Sequence, residues 1–201
     1  RPPPLSVPMH VERGPDGLVT VGDPDGEVAS GRPVDPIPTD AVPEVPHGDL
    51  DAAVAAYLDA ADTHPFRTCF VCGPDRDPGD GLRIFSGPIG DEPGVVAAPW
   101  TPDPSLADTD GSLDERAVWS ALDCAGGFAH IFHDRSCVLG RLAVDIVGPV
   151  EIGTTYTVVG WADPADGRKL PAHTAVIDPS DGSVPAVGRS TWIEVDPADF
   201  T

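Results

Sequence analysis

Apolar residues recur every third or fourth position in some stretches of this chain and gather in short runs rich in β-formers in others, and the two patterns mark helices and strands. The best-defined helical pattern ends at Phe132. Val118, Leu122, Ala125, Ala129 and Phe132 follow one another at spacings of three and four, an apolar stripe about four turns long. Ser112-Leu113-Asp114-Glu115 has the form of a capping box, in which the Ser hydroxyl accepts from the N3 amide and the Glu side chain reaches back to the N-cap amide. The pattern therefore predicts one long helix over 113–132. Four segments rich in Val, Ile, Thr and Trp follow, at about 137–147, 154–162, 169–177 and 184–195. Gly/Pro/Asp turns divide them, and connections this short predict an antiparallel meander.

Upstream the signals are shorter. Residues 49–63 place Leu50, Val54, Tyr57 and Leu58 at helical spacing, with Asp49 available as an N-cap. Leu82 to Phe85 and Val95 to Trp100 read as two strands joined by a Gly/Pro loop. Residues 1–48 form a Pro-rich arm, in which apolar runs at 7–11 and 18–21 flank Gly14-Pro15-Asp16-Gly17 as a hairpin would. Strands, one long helix and then a meander make an α+β layer architecture with an N-terminal arm (1–48) and a main domain (49–201) led by a short helix.

Composition narrows the functions. In 201 residues, 12 Lys+Arg face 33 Asp+Glu for a net charge of −21, which opposes nucleic acid and anionic membranes as partners. Any polyanionic ligand needs a local basic patch, for which Arg141, Arg168, Lys169 and Arg189 are the candidates. No apolar run reaches membrane-spanning length and the start Arg-Pro-Pro-Pro lacks a signal peptide's apolar region, so a cytoplasmic protein is expected. Four cysteines are too few for a disulfide framework in a chain this long.

Within the long helix Asp123 has Arg116 and His130 seven residues to either side, nearly on its own face at 100° per residue. Trp119, Ser120, Gly126 and Gly127 are its close neighbours there. A carboxylate beside an aromatic ring and glycines suits acid–base work if it is partly desolvated; the alternative is an Asp in solvent or hydrogen-bonded across an interface. Gly126-Gly127 costs a helix about 1 kcal/mol per residue relative to Ala. The offset is either close approach of a ligand or partner helix, or tight packing on the sheet. Cys69-Phe-Val-Cys72-Gly73 has the spacing of half a zinc site, with Cys124, Cys137, His64, His130 or His133 to draw on for the rest. A second closely spaced pair is absent, so a structural knuckle is expected, with no metal and no cofactor.

Three stretches carry a resemblance to a known family: Gly81-Leu82-Arg83-Ile84-Phe85, Ala121-Leu122-Asp123-Cys124-Ala125-Gly126-Gly127-Phe128-Ala129, and Arg141-Leu-Ala-Val-Asp-Ile-Val-Gly-Pro-Val150. In their order, from about residue 69 to 195, they resemble hotdog-fold acyl-CoA thioesterases, nearest the phenylacetyl-CoA-type branch. The resemblance implies an antiparallel sheet wrapped around one long central helix, a homodimer or higher homo-oligomer, and an acyl-CoA thioester as the small-molecule substrate. It assigns Asp123 as nucleophile or general base and places acyl and CoA groups near Trp119, Gly126, Gly127 and Arg141. That family also has a His-Gly-Gly motif two turns before the acid, whose glycine amide holds the thioester oxygen. Here the positions are Asp114-Glu115-Arg116, so the oxyanion role passes to the first-turn amides of Glu115 and Arg116. If Ser112 caps the Glu115 amide, that donor is occupied, and the two assignments compete. The resemblance leaves open a non-catalytic acyl-binding or scaffold protein. A hotdog enoyl-CoA hydratase ranks last, because the seven-residue spacing from Asp123 to His130 does not match that branch's Asp-X4-His.

Overall fold

The computed structural model describes residues 4–45, 49–64, 66–90, 93–132, 135–196 and 198, in two compact units, Arg1–Pro36 and Ile37–Thr201. His133 lies outside the described residues.

The first unit is a three-stranded antiparallel sheet of β1 (His10–Arg13), β2 (Val19–Asp23) and β3 (Gly26–Gly31). The expected hairpin is present, with Arg13 opposite Val19 and Gly17 at φ +80 supplying the left-handed turn position. A second turn adds β3. The Asp23 carboxylate accepts from the Asp25 amide at 2.8 Å, the side-chain-to-backbone bond that makes Asp a turn former.

The second unit holds α1 (Leu50–Asp59), β4 (Gly87–Pro88), β5 (Val95–Trp100), α2 (Glu115–Ala121), α3 (Cys124–Ile131), β6 (Cys137–Ile146), β7 (Tyr156–Ala162), β8 (Lys169–Ile177) and β9 (Ala186–Glu194). The strands form one antiparallel sheet in the order β4-β5-β7-β8-β9-β6. Strands β6 to β9 fall within two residues of their expected bounds, but only β7-β8-β9 is a meander. β6 pairs with the far side of β9, so residues 147–155 carry the chain back past two strands. At about 4.8 Å per strand that is roughly 14 Å, and a segment of this length reaches about 30 Å.

The sheet is apolar on both faces. Val96, Ala98, Val158 and Val176 meet Leu122, Ala125, Phe128 and Ala129 on one side. On the other, Ala97, Val159 and Ala175 are covered by Val42, Val45 and Leu50. Glycines set the approach of the helices. A Cβ on Gly160 would lie 2.4 Å from the Ala125 carbonyl oxygen, and one on Gly87 would overlap the Ala53 carbonyl, so α3 and α1 rest on bare backbone.

Two expectations fail locally. Leu82 to Phe85 is no strand: the Leu82 and Ile84 amides donate to the Phe70 and Val71 carbonyls at 2.8 and 2.9 Å. Between them Arg83 takes φ 54, a left-handed conformation that no strand continues through. The capping box is not formed either. Ser112 Oγ donates to Asp110, and the N-cap of α2 is Asp114, whose carboxylate accepts from the Arg116 amide at 2.8 Å.

Candidate functional site

The long helix expected over 113–132 is two helices, and the break between them is Leu122–Asp123. Leu122 has φ −87 and ψ 6 as the C-cap of α2, and Asp123 has φ −85 and ψ −81 at the N-cap of α3. In an unbroken helix the Leu122 carbonyl would accept from the amide of Gly126. Gly126 instead bonds to the Asp123 carbonyl at 3.2 Å. The released Leu122 carbonyl is taken by Thr174 Oγ1 of β8 at 2.9 Å, in a buried position. Gly188, opposite Thr174 in β9, makes room for that hydroxyl, since a Cβ there would sit 2.4 Å from Oγ1.

The break decides what surrounds Asp123. Asp is a frequent N-cap because its carboxylate accepts from first-turn amides, yet this one makes no capping bond. Its Oδ1 is buried and has no hydrogen-bond partner among the described residues. Burial raises the Asp123 carboxyl to about 6, and the charge of Cys69 adds to the shift. The group is therefore poised between acid and base near neutrality.

The other expected residues are distributed around it. Arg116 is held by Asp114, with Nε 2.8 Å from Oδ2, and His130 Nε2 meets the Pro171 carbonyl at 2.9 Å. Trp119 is half-exposed, at 42% of its surface. Gly126 and Gly127 are buried against the sheet: a Cβ on Gly126 would be 2.9 Å from Ser190 Oγ, and one on Gly127 3.0 Å from the Trp192 ring. Tight sheet packing thus accounts for both glycines. Arg141 stands opposite Thr191, and Thr191 alternates with Ser190 and Trp192, so Arg141 lies on the sheet face turned away from α3. A cleft of about 310 Å³ opens at the start of α2, lined by Phe70, Leu106, Asp114, Arg116, Ala117 and Ser120. Glu115 begins that helix. Its amide has no hydrogen-bond partner among the described residues, whereas the Arg116 amide is occupied by Asp114.

Beside Asp123 the fold gathers Cys69, Cys72 and Cys124, whose sulfurs all lie within 4.8 Å of one another. Cys137 is elsewhere, its thiol 3.9 Å from the Gly127 carbonyl. Hydrogen bonds from the Cys124 and Cys72 thiols lower the Cys69 thiol, so Cys69 is the member of the group that ionises most readily. Tyr57 closes the site from α1, its hydroxyl donating to the Cys72 carbonyl at 2.6 Å. The signal for the helix break was present in the sequence, since Asp followed by Cys-Ala-Gly-Gly is a better helix start than a helix interior. Nothing marked Thr174 or Tyr57, which look like any strand Thr and any core Tyr.

No protein-family model matches the chain, and no curated protein matches it by sequence. Solved structures do match. The E. coli PaaI protein from the phenylacetic acid degradation operon superposes with a TM-score of 0.56 at 12% identity, over 72% of this chain and 96% of that one. Zebra fish thioesterase superfamily member 2 superposes with a TM-score of 0.54 at 14% identity, over 73% of this chain and 98% of that one. These matches and the antiparallel sheet packed on α2 and α3 show the hotdog fold in an α+β chain. Among the described residues no helix is long and apolar enough to cross a membrane.

Proposed function

We propose that this chain hydrolyses an acyl-CoA thioester at the interface of a hotdog homodimer, with Asp123 as nucleophile or general base. The observation that carries the reading is the buried, unpartnered Oδ1 of Asp123 at the break between α2 and α3. Stranding a polar atom in this way costs about 1–3 kcal/mol, more for a charged one. The break puts the acid at the N-cap of α3, where it makes no capping bond. What the fold withholds, a water or a thioester can supply. As base, Asp123 takes a proton from water, the resulting hydroxide attacks the thioester carbon, and the CoA thiolate leaves. As nucleophile, it forms an acyl-enzyme anhydride with loss of the thiolate, and water then hydrolyses the anhydride. The unbonded amide of Glu115 is the first-turn donor left for the oxyanion.

The names of the structural neighbours support the same class, one being a thioesterase superfamily member and the other a protein of an acid-degradation operon. On this reading the half-exposed Trp119 contacts the acyl-CoA from the rim of the site, while Arg141, on the other face of the sheet, and the sheet-packed Gly126 and Gly127 do not. Neither nucleic acid nor membrane is a partner of so acidic a chain. The test is turnover of a panel of acyl-CoAs by wild type and Asp123→Asn. The variant folds and shows no hydrolysis above background; wild-type turnover in the variant sinks the assignment.

One observation favours a second reading, an acyl-CoA binder without turnover. The Arg116 amide is already bonded to Asp114, and the segment Asp114-Glu115-Arg116 has no glycine. Calorimetric binding of acyl-CoA without hydrolysis over hours would establish this reading and exclude the first.

A further inference from the structure

The geometry points to a three-thiolate metal site, formed by Cys69, Cys72 and Cys124, that binds Zn(II) or a similar soft divalent cation and clamps the 69–73 turn to the start of α3. It does not rest on the thioester reading. Zn–S bonds of about 2.3 Å in tetrahedral array put sulfurs about 3.8 Å apart. Cys69 and Cys124 Sγ are 3.7 Å apart, and Cys72 Sγ is within 4.8 Å of both. The spacing in sequence showed only the Cys-X-X-Cys half. The helix break supplies the third sulfur, because Cys124 opens α3 immediately after it.

The turn around the first pair is built as metal knuckles are. The Gly73 amide donates to the Cys69 carbonyl at 2.9 Å. Only glycine fits at 73, where a Cβ would lie 2.6 Å from the Cys69 amide nitrogen and carbonyl oxygen. A second layer is in place too. His64 Nδ1 accepts from the Phe66 amide at 2.9 Å, which puts the ring proton on Nε2, 3.5 Å from Cys72 Sγ. His64 is thus an outer donor to the sulfur and not a ligand, and the fourth position falls to solvent. Cys69 and Cys124 are half-buried, which leaves the ion a path in. Binding displaces whatever protons the three thiols still carry and forms three metal–sulfur bonds, so that a divalent ion and its three thiolates carry a net charge of about −1.

The test is zinc binding by the reduced full-length chain, measured as metal per chain after dialysis against free Zn(II) and as affinity by competition with a chromophoric chelator. One equivalent is expected, together with the thiolate-to-metal charge-transfer band of Co(II) when cobalt replaces zinc. Cys124→Ser weakens binding by at least roughly 100-fold, since even outer-layer changes cost 10–100-fold, while Cys137→Ser binds as wild type. Circular dichroism checks that each variant is folded. The cobalt spectrum of the unmutated chain keeps the question open to refutation if Cys124→Ser does not fold. Substoichiometric zinc with no charge-transfer band overturns the proposal. So does a Cys124→Ser variant that holds zinc as tightly as wild type, which would mean adventitious binding to the Cys-X-X-Cys pair alone.

Discussion

Replacing Thr174 by Val tests the helix break without touching any residue at the reacting centre. The Thr174 hydroxyl is the partner of the Leu122 carbonyl, 2.9 Å away and buried, and that carbonyl has lost its intrahelical amide to Asp123. Valine keeps the shape and removes the donor, so the carbonyl is stranded in the core. The cost of an unsatisfied buried acceptor is about 1–3 kcal/mol. For a domain of this size each kcal/mol moves the melting temperature by about 2–4 °C, so Thr174→Val melts roughly 2–12 °C lower. Thr174→Ser is the control: it keeps the donor and loses one methyl group, worth about 0.8 kcal/mol. Thermal denaturation of both variants, followed by circular dichroism, reads the difference. A Val variant as stable as wild type, or a Ser variant less stable than the Val, refutes the claim that this bond holds the break.

Three other changes probe the frame around the site. Gly160→Ala drives a Cβ to within 2.4 Å of the Ala125 carbonyl oxygen; overpacking against backbone costs about 1–3 kcal/mol, and an unchanged denaturation midpoint contradicts the packing of α3 on β7. Tyr57→Phe removes the 2.6 Å bond to the Cys72 carbonyl and costs about 1–3 kcal/mol by chemical denaturation; a neutral result means that this hydroxyl does not anchor the turn. In the zinc-loaded chain, chelation lowers the melting temperature of wild type and leaves that of Cys124→Ser unmoved; equal shifts in the two exclude a clamp through Cys124.

The strands of the second unit were legible because each is a run rich in Val, Ile, Thr and Trp bounded by turn residues, as in Asp178 to Gly182 between β8 and β9. Their order in space was not. Nothing in residues 147–155 distinguishes a hairpin from a connection that passes two strands, since both need only turn formers and reach. The apolar stripe from Val118 to Phe132 located the helix face correctly, but periodicity is blind to a break that preserves the stripe across Leu122–Asp123. Local preference misled at Ser112, whose amide and hydroxyl both donate to Asp110, while Asp114 takes the cap by accepting from the Arg116 amide. It misled again at Leu82 to Phe85, a run of strand formers whose amides are claimed by the Phe70–Val71 turn. Asp123 stood out from its neighbours, whereas the partnerless state of its carboxylate exists only once the helix has broken. The grouping of Cys124 with Cys69 and Cys72 is likewise tertiary, joining residues more than fifty positions apart.

Whether the break presents Asp123 to a thioester is read from a crystal structure of the chain with a non-hydrolysable thioether analogue of an acyl-CoA. Asp123 Oδ1 is expected within about 3.5 Å of the carbon that replaces the thioester carbonyl, or one bridging water away. An analogue bound with its acyl end in the cleft between Phe70 and Arg116 and Asp123 out of reach, or anywhere else that leaves Oδ1 unpartnered, contradicts it.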